Sequence, residues 1–424
     1  MPTRDADTLT YCVPLLPMGS RFGRRMGYSV AFGVVTLMVV TACGSSAKVV
    51  SPSQEDLRSE AKISVSPKTG TNDAPISTEI AYKVSKGKFK DLKLTNAKGK
   101  EVKGHMRSDG SSFVPDEPLD FGTKYVASVT AVDGDDISGT KESTFTTMSA
   151  PGNTINGSLW NGDGKTFGKA MPILLDFPRS FSVPEDKRAS VEKRLFVSSK
   201  PKQVGAWHWF SGNHLEYRPK DFWKPGTKIN VRYGLAGLPL GGGVYGSGDV
   251  TATVNIDTKD REVHVSNKDK NLKATEDGKT VKTMDVSLGK DAKPSYSGTM
   301  AIMEKKEKTT FDTTDEPECH GKEGGENCYK AKIKFAQRLT WSGQFIHSAP
   351  WSVADQGHRN VSHGCVNVSD KNAEWIFNFT DVGTPVIIEG TGHNLPAGDG
   401  FTAYNLSWDD FLKGSYLPAP KAEK

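Results

Sequence analysis

From about residue 60 to residue 256 the chain runs in short stretches of alternating apolar and polar residues, separated by turn residues. That period-two pattern is met by half-buried β-strands and by little else. "ISVSP", "EIAYKV", "KYVASVTAV" and "STFTT" form a first set, and "MPILLDF", "RLFVSS", "HLEYRP", "KINVRYGL" and "DVTATVNI" a second. The sets look like copies of one another. "FVPDEPLDFGTKYVASV", from Phe113, and "YRPKDFWKPGTKINVRY", from Tyr217, align without a gap, so that Pro115, Gly122, Thr123 and Lys124 fall opposite Pro219, Gly226, Thr227 and Lys228. The offset is about 100 residues, the length of one immunoglobulin-like sandwich. Proline presets φ and glycine permits a sharp turn, so each corner reads as the entry to a strand. The 43 glycines and 23 prolines fit such a turn-rich β chain. Two tandem β-sandwiches are therefore expected, at residues 61–149 and 150–256. The aromatic-rich "GAWHWFSGNHLEYRPKDFW" reads as sandwich core and edge, in preference to a sugar-stacking surface.

The N-terminus follows a different logic. Arg21, Arg24 and Arg25 precede "MGYSVAFGVVTLMVVTAC", an apolar run that reads as a secretory signal. Its last four residues, Val40-Thr41-Ala42-Cys43, resemble a bacterial lipobox, which implies lipidation of Cys43. Residues 1–42 are then a lipoprotein signal peptide and 43–60 a polar, lipidated tether. The remainder is expected outside the cytoplasm, lipid-anchored on the outer face of the cytoplasmic membrane and reaching into the cell wall. The net charge of +5 shrinks when the arginine-rich leader is removed, which leaves too little basicity to argue for nucleic acid.

Of the five cysteines, Cys12 lies in the leader and Cys43 is the lipid candidate. Cys319 and Cys328 bracket the hydrophilic "HGKEGGEN", and in an oxidising compartment such a pair is expected to close a short disulfide loop. Cys365 is then the odd thiol: a nucleophile, a metal ligand or buried filler.

After residue 257 "REVHVSN", "NLKATEDGKTVKTMDVSLG", "IKFAQRLTWSGQFIHS" and "TPVIIEG" still read as strands. "SDKNAEWIFNFT" reads as a short helix capped at Ser369 or Asp370, with Ala373, Ile376 and Phe377 on its apolar face. The lysine-rich "MEKKEK" and "KAKIK" read as solvated strand faces. His347 ends an apolar strand, and His363-Gly364-Cys365 follows across a polar loop. A thiol nucleophile needs a base, a group that orients the base, and backbone N–H donors for the developing oxyanion; Gly364 lets the backbone turn so that such donors are reachable. A zinc site built from His347, His358, His363 and Cys365, with Cys319 and His320, fits no zinc spacing, so no metal and no cofactor are expected.

The segment from His347 through Ser362-His363-Gly364-Cys365-Val366-Asn367 resembles the signature of the L,D-transpeptidases, also called YkuD-like domains. Together with the two sandwiches, the lipobox and the tail "YNLSWDDFLKG", the chain resembles the mycobacterial-type lipoprotein members that carry two immunoglobulin-like domains. The resemblance implies a mainly β protein: the two sandwiches, a β-rich YkuD-like catalytic domain with a short helix at 257–394, and a C-terminal extension at 395–424 packed on that domain. It implies a peptidoglycan enzyme that forms 3→3 cross-links. Cys365 would attack a tetrapeptide donor stem and release D-alanine, and a diaminopimelate amine of a second stem would accept the acyl group. His347 would be base and acid, oriented by the Ser348 carbonyl, with Gly364 and Cys365 supplying the oxyanion N–H groups. His363 would shape the site, while Tyr329 on a lid, Trp351, Ser362 and Asn367 would contact substrate. Carbapenem-type β-lactams would acylate the same thiol. Relatives carry glycine before the lid tyrosine, where this chain has Cys328. The competing readings are an L,D-carboxypeptidase using the same site and a non-enzymatic wall-binding lipoprotein.

Overall fold

The two aligned corners occupy the same structural position. Pro115 ends the strand Ser112–Pro115 and Pro219 ends His214–Pro219, while Lys124 and Lys228 begin Lys124–Val132 and Lys228–Tyr233. Gly122 and Gly226 both sit at positive φ, 58° and 74°, where a side chain would strain the backbone. Their amides donate to the end of each sandwich, at Met148 O and Asp257 O. The repeat is thus a repeated turn, built from the same residues for the same reason.

The structure is a computed structural model describing residues 58–107, 110–314, 319–321, 323–324 and 328–420. The leader and Cys43 lie outside the described residues. In the first sandwich the strands Lys62–Ser66, Ile80–Ser85, Ser112–Pro115 and Gly104–Met106 form one sheet, and Lys88–Asn96, Lys124–Val132 and Ser138–Thr146 the other. Ile80, Leu94, Tyr125, Ala127 and Phe145 fill the space between them. In the second, Thr166–Phe167, Val250–Ile256, Lys228–Tyr233 and Leu195–Lys200 face Gly205–Trp209, His214–Pro219, Ile173–Asp176 and Ser158–Leu159. Trp207, Trp209, Tyr217 and Trp223 are buried in its core, which is where the aromatic run goes. One element was not expected: the helix Glu185–Glu192, entered after Pro184 with Glu185 and Asp186 in its first turn. Those are the ordinary signals of a helix start, set inside a stretch otherwise patterned for strands.

The following module has a five-stranded sheet in the order Lys279–Asp285, Asn271–Glu276, Arg261–Ser266, Pro385–Glu389, Gly298–Ala301. A second sheet runs Glu304–Asp312, Lys330–Arg338, Phe345–Ser348, Val366–Val368. Val263, Leu272, Met300, Ile346, Val366 and Ile376 pack between them. The helix Asp370–Phe379 begins at Ser369, whose hydroxyl accepts from the Asn372 amide, and it buries Ala373 and Ile376. Phe377 is half-buried and packs on Phe335. Lys305 departs from the solvated face expected for "MEKKEK". Its ammonium donates to Phe377 O at 2.6 Å and to Thr380 O, closing the carbonyl end of that helix.

Polar and apolar contacts join the modules. Lys169 of the second sandwich pairs with Asp260 and, at 2.5 Å, with Glu262, while Ala301, Met303 and Phe401 complete that sandwich's apolar core. The C-terminal extension, expected on the catalytic module, divides its packing. The Leu395 amide donates to Ser297 O, and the Ala301 amide donates to Phe401 O, which keeps the first part on that module. Beyond it, Arg218 of the second sandwich, 2% exposed, donates to Ala403 O and Leu406 O and stacks on Tyr404, Trp408 and Phe411. Glu192 then accepts from the Tyr416 amide and Ser415. A buried guanidinium needs acceptors, and the carbonyls of the extension complete a set that Pro219 O and Lys220 O begin within the sandwich.

Glu79 joins the two sandwiches by accepting from Arg107 and Ser112 of its own and Arg194 of the next. Burial opposes its ionisation, but those hydrogen bonds and the charge of Arg107 outweigh burial and hold the carboxyl at about 2. A depressed carboxyl contributes stability that is complete above its ordinary value of 4.5 and is lost as pH falls through about 2. Glu79→Ala leaves Arg194 buried without its carboxylate and should cost about 3 kcal/mol at pH 7. Calorimetry should show that penalty shrinking as the pH is taken toward 2; a penalty independent of pH would contradict the ionic account.

Candidate active site

Phe345–Ser348 and Val366–Val368 run parallel, with Ile346 opposite Val366, His347 opposite Asn367 and Ser348 opposite Val368. Side chains alternate along a strand, so His347 and Asn367 share one face with Cys365, which lies two residues before Asn367. Ile346, Val366 and Val368 take the other face, into the core. The pattern "FIHS" against "CVNV" therefore puts imidazole and thiol on one face while burying the alternate residues on the other.

Several polar groups fix the turn that carries Cys365. Ser287 exchanges backbone hydrogen bonds with Asn367, and its hydroxyl donates to Arg359 O and accepts from the Val361 amide. Ser295 donates to Gly364 O at 2.8 Å, and Ser362 donates to Cys365 O at 2.6 Å. Gly364 has φ 121°, and a Cβ there would meet the Gln344 side chain at 3.3 Å. The expected oxyanion donors are unequal. The Gly364 N–H is given to Ser362 Oγ at 3.2 Å, while the Cys365 N–H makes no hydrogen bond among the described residues. Ser362 would have to release Gly364 for both donors to act.

His347 is 4% exposed, and its Nδ1 lies 2.8 Å from Ser348 O. A carbonyl only accepts, so Nδ1 carries the proton and Nε2 keeps its lone pair. Ser348 is held in turn by its hydroxyl, which donates to Asp370 in the first turn of the helix. Burial drops the imidazole to about 4 against the weaker opposing effect of the Ser348 hydrogen bond, and burial pushes the Cys365 thiol up to about 12. At neutral pH the cavity therefore holds an uncharged thiol, its Sγ 3.8 Å from Gly343 O, and an uncharged imidazole of the kind that can take a thiol proton.

Both side chains line a cavity of about 480 Å³ together with Tyr329, Trp351, Ser362, His363 and Asn367, so the residues singled out from sequence converge. Gly364 contributes backbone to the same turn, and Ser348 stands behind His347. Tyr329 packs on His363 with ring centroids 5.8 Å apart, and the Lys290 ammonium lies 3.3 Å from His363 Nε2. Cys319 and Cys328 are disulfide-bonded, and Thr313 pairs with Tyr329 across the tip of the long hairpin. Among the described residues, no group of three or more His, Cys, Asp or Glu side chains could hold a metal ion. Sequence reasoning passed over Phe311, Ile333, Ser352, Asp355 and Val361, which also line the cavity. Phe311 and Ile333 belong to alternating strands and look like any half-buried residue, whereas Asp355 lay in plain view between Trp351 and His358.

Comparisons with known proteins agree with this arrangement. A family described as the L,D-transpeptidase catalytic domain, YkuD, matches residues 260–388, and one described as a bacterial Ig domain matches residues 71–239. L,D-transpeptidase 2 of Mycobacterium tuberculosis is 31% identical over 357 residues, covering 81% of this chain and 81% of that relative. L,D-transpeptidase 5 of the same organism is 28% identical over 409 residues, 94% of this chain and 87% of that relative. A solved L,D-transpeptidase in complex with imipenem is 28% identical, covering 56% of this chain and 100% of its own, with a TM-score of 0.46. With its mainly β architecture, its Ig-like and YkuD modules and a relative matched along four-fifths of its length, the chain belongs to the L,D-transpeptidase family and is a transpeptidase enzyme.

Proposed function

We propose that the protein forms 3→3 cross-links in peptidoglycan through an acyl-enzyme on Cys365. The observation that carries this reading is the free, half-buried thiol in one cavity with an imidazole whose Nδ1 is committed to Ser348. Cys365 Sγ attacks the carbonyl between the third and fourth residues of a tetrapeptide stem while His347 Nε2 takes the thiol proton. His347 returns that proton to the departing D-alanine amine, leaving a thioester. The oxyanion of each tetrahedral intermediate is met by the Cys365 N–H, and by Gly364 once Ser362 lets go. An amine from the diaminopimelate of a second stem then attacks the thioester, its proton passes through His347 to the leaving sulfur, and the thiol is restored. His363, Tyr329, Trp351 and Asn367 enclose the stem peptides. Water in place of the amine would give a tripeptide and define an L,D-carboxypeptidase.

One L,D-transpeptidase has been solved in complex with imipenem, and we propose that carbapenems acylate Cys365 in this protein. We place the enzyme outside the cytoplasm, lipidated at Cys43 and held at the membrane beside its wall substrate, on the reading of Val40 to Cys43 as a lipobox.

Intact-mass measurement after incubation with imipenem, and separately with a disaccharide-tetrapeptide carrying diaminopimelate, should give an adduct at Cys365 and a dimer lacking one D-alanine. Cys365→Ala should give neither, and His347→Gln should slow acylation by about a hundredfold or more. A tripeptide as sole product would identify the carboxypeptidase instead.

The uncharged resting pair has its own signature. Between about 4 and about 12 neither group ionises at rest, so alkylation of Cys365 by iodoacetamide should rise steadily with pH from 7 to 9. A flat profile across that range would mean that a thiolate–imidazolium pair is already formed.

A further inference from the structure

The transpeptidase reading leaves the acceptor unaccounted for. Its nucleophile reaches the enzyme as a primary ammonium at neutral pH, since an alkylamine ionises near 10. A site that binds it must therefore attract a cation close to the thioester and still be dry enough to favour the amine over water.

The walls of the cavity have that chemistry. Phe311, Tyr329 and Trp351 supply three aromatic rings, two of them packed around the base, with Phe311 at 5.2 Å and Trp351 at 6.0 Å from the His347 ring. Trp351 is 62% exposed, an unusual state for the largest side chain, which leaves its ring available to a ligand. Indole faces attract ammonium groups. Asp355 is the one carboxylate among the described residues lining this cavity, and its side chain is 17% exposed.

Asp355 is held firmly. Its amide donates to Ser352 O at 2.9 Å, and its carbonyl accepts from the His358 and Arg359 amides, each at 2.9 Å. Gln356, the next residue, is pinned to Ala349 O and Ser352 Oγ at 3.2 Å. The carboxylate is occupied only lightly. Arg359 meets one oxygen, Oδ1, and that guanidinium is 75% exposed, so solvent already competes for it and a ligand cation can take its place on the carboxylate.

We propose that Asp355 and Trp351 form the acceptor subsite, in which the carboxylate and the indole bind the ammonium of the incoming stem peptide in competition with the Arg359 guanidinium. This rests on the transpeptidase reading and adds the residue that selects amine over water. The bound ammonium releases one proton to solvent. The nitrogen then attacks the thioester carbonyl, the C–S bond breaks, and the second proton passes through His347 to Cys365 Sγ as the amide forms.

The test uses the purified full chain, a tetrapeptide donor, a diaminopimelate-bearing acceptor stem, and imipenem as a probe of the thiol that involves no acceptor. Asp355→Asn should raise the acceptor KM about tenfold, the effect of losing one partly desolvated charge attraction, and move product from dimer to tripeptide. Imipenem should still acylate Cys365 in this variant. Asp355→Glu should recover most of the wild-type dimer-to-tripeptide ratio, and Arg359→Ala should lower the acceptor KM by freeing the carboxylate. An acylated Asp355→Asn enzyme with unchanged acceptor KM and product ratio overturns the proposal. If that variant does not fold, an unchanged acceptor KM in Arg359→Ala overturns it instead. Failure of the wild-type enzyme to be acylated by imipenem or by the donor would sink the transpeptidase reading itself, a result recognisable before any variant is made.

Discussion

Three parallel pairings, Ile346 with Val366, His347 with Asn367 and Ser348 with Val368, carry the rest of the site. A slip of one residue would turn His347 into the core and bring Ile346 or Val366 into the cavity, because every side chain on a strand changes face with the register. The core forbids the slip, since Ile346, Val366 and Val368 are all buried in it. Ser287 and the helix start at Ser369 and Asp370 then fix the two ends, one by pairing with Asn367 and the other by holding the Ser348 hydroxyl. The shared face of His347 and Cys365 is therefore a consequence of hydrophobic burial on the opposite face of the same strands.

That burial also sets the chemistry. Desolvation disfavours charge, so it lowers His347 and raises Cys365, and the two effects together leave a proton on sulfur at rest. The arrangement gives up a ready-made thiolate. On the proposed mechanism the nucleophile is formed only as it attacks, inside a cavity where the Ser348 carbonyl has already chosen the tautomer.

Much of this was legible in the chain. The paired corners at Pro115 and Pro219, the helix after Ser369 and the His-Gly-Cys turn are local features, in which a few residues fix φ, supply a cap or alternate in burial. The helix Glu185–Glu192 also had local signals, but a stretch patterned for strands hid them. The docking of the extension had none: Arg218 and Ala403 are far apart in sequence, and nothing near either predicts that a buried guanidinium will find that carbonyl. Asp355 is similar, an ordinary loop acid until the fold brings its loop to the cavity that Phe311, Tyr329 and Ile333 wall from the hairpin. Long-range contacts are what a single sequence leaves unwritten, and acceptor recognition is made of them.

On the proposed mechanism, transfer and hydrolysis differ only in which nucleophile reaches the thioester. Water is abundant and small, so a transferase has to make its absence more favourable than its presence. Phe311, Ala331, Ile333, Trp351 and Val361 give the cavity largely apolar walls, and apolar surface gains free energy when a ligand replaces water on it. Trp351 is the clearest case: more than half exposed, it loses unfavourable hydration when a stem peptide covers it. The covering that strengthens acceptor binding is the same event that excludes the competing nucleophile, so binding energy and selectivity have one physical source in this site.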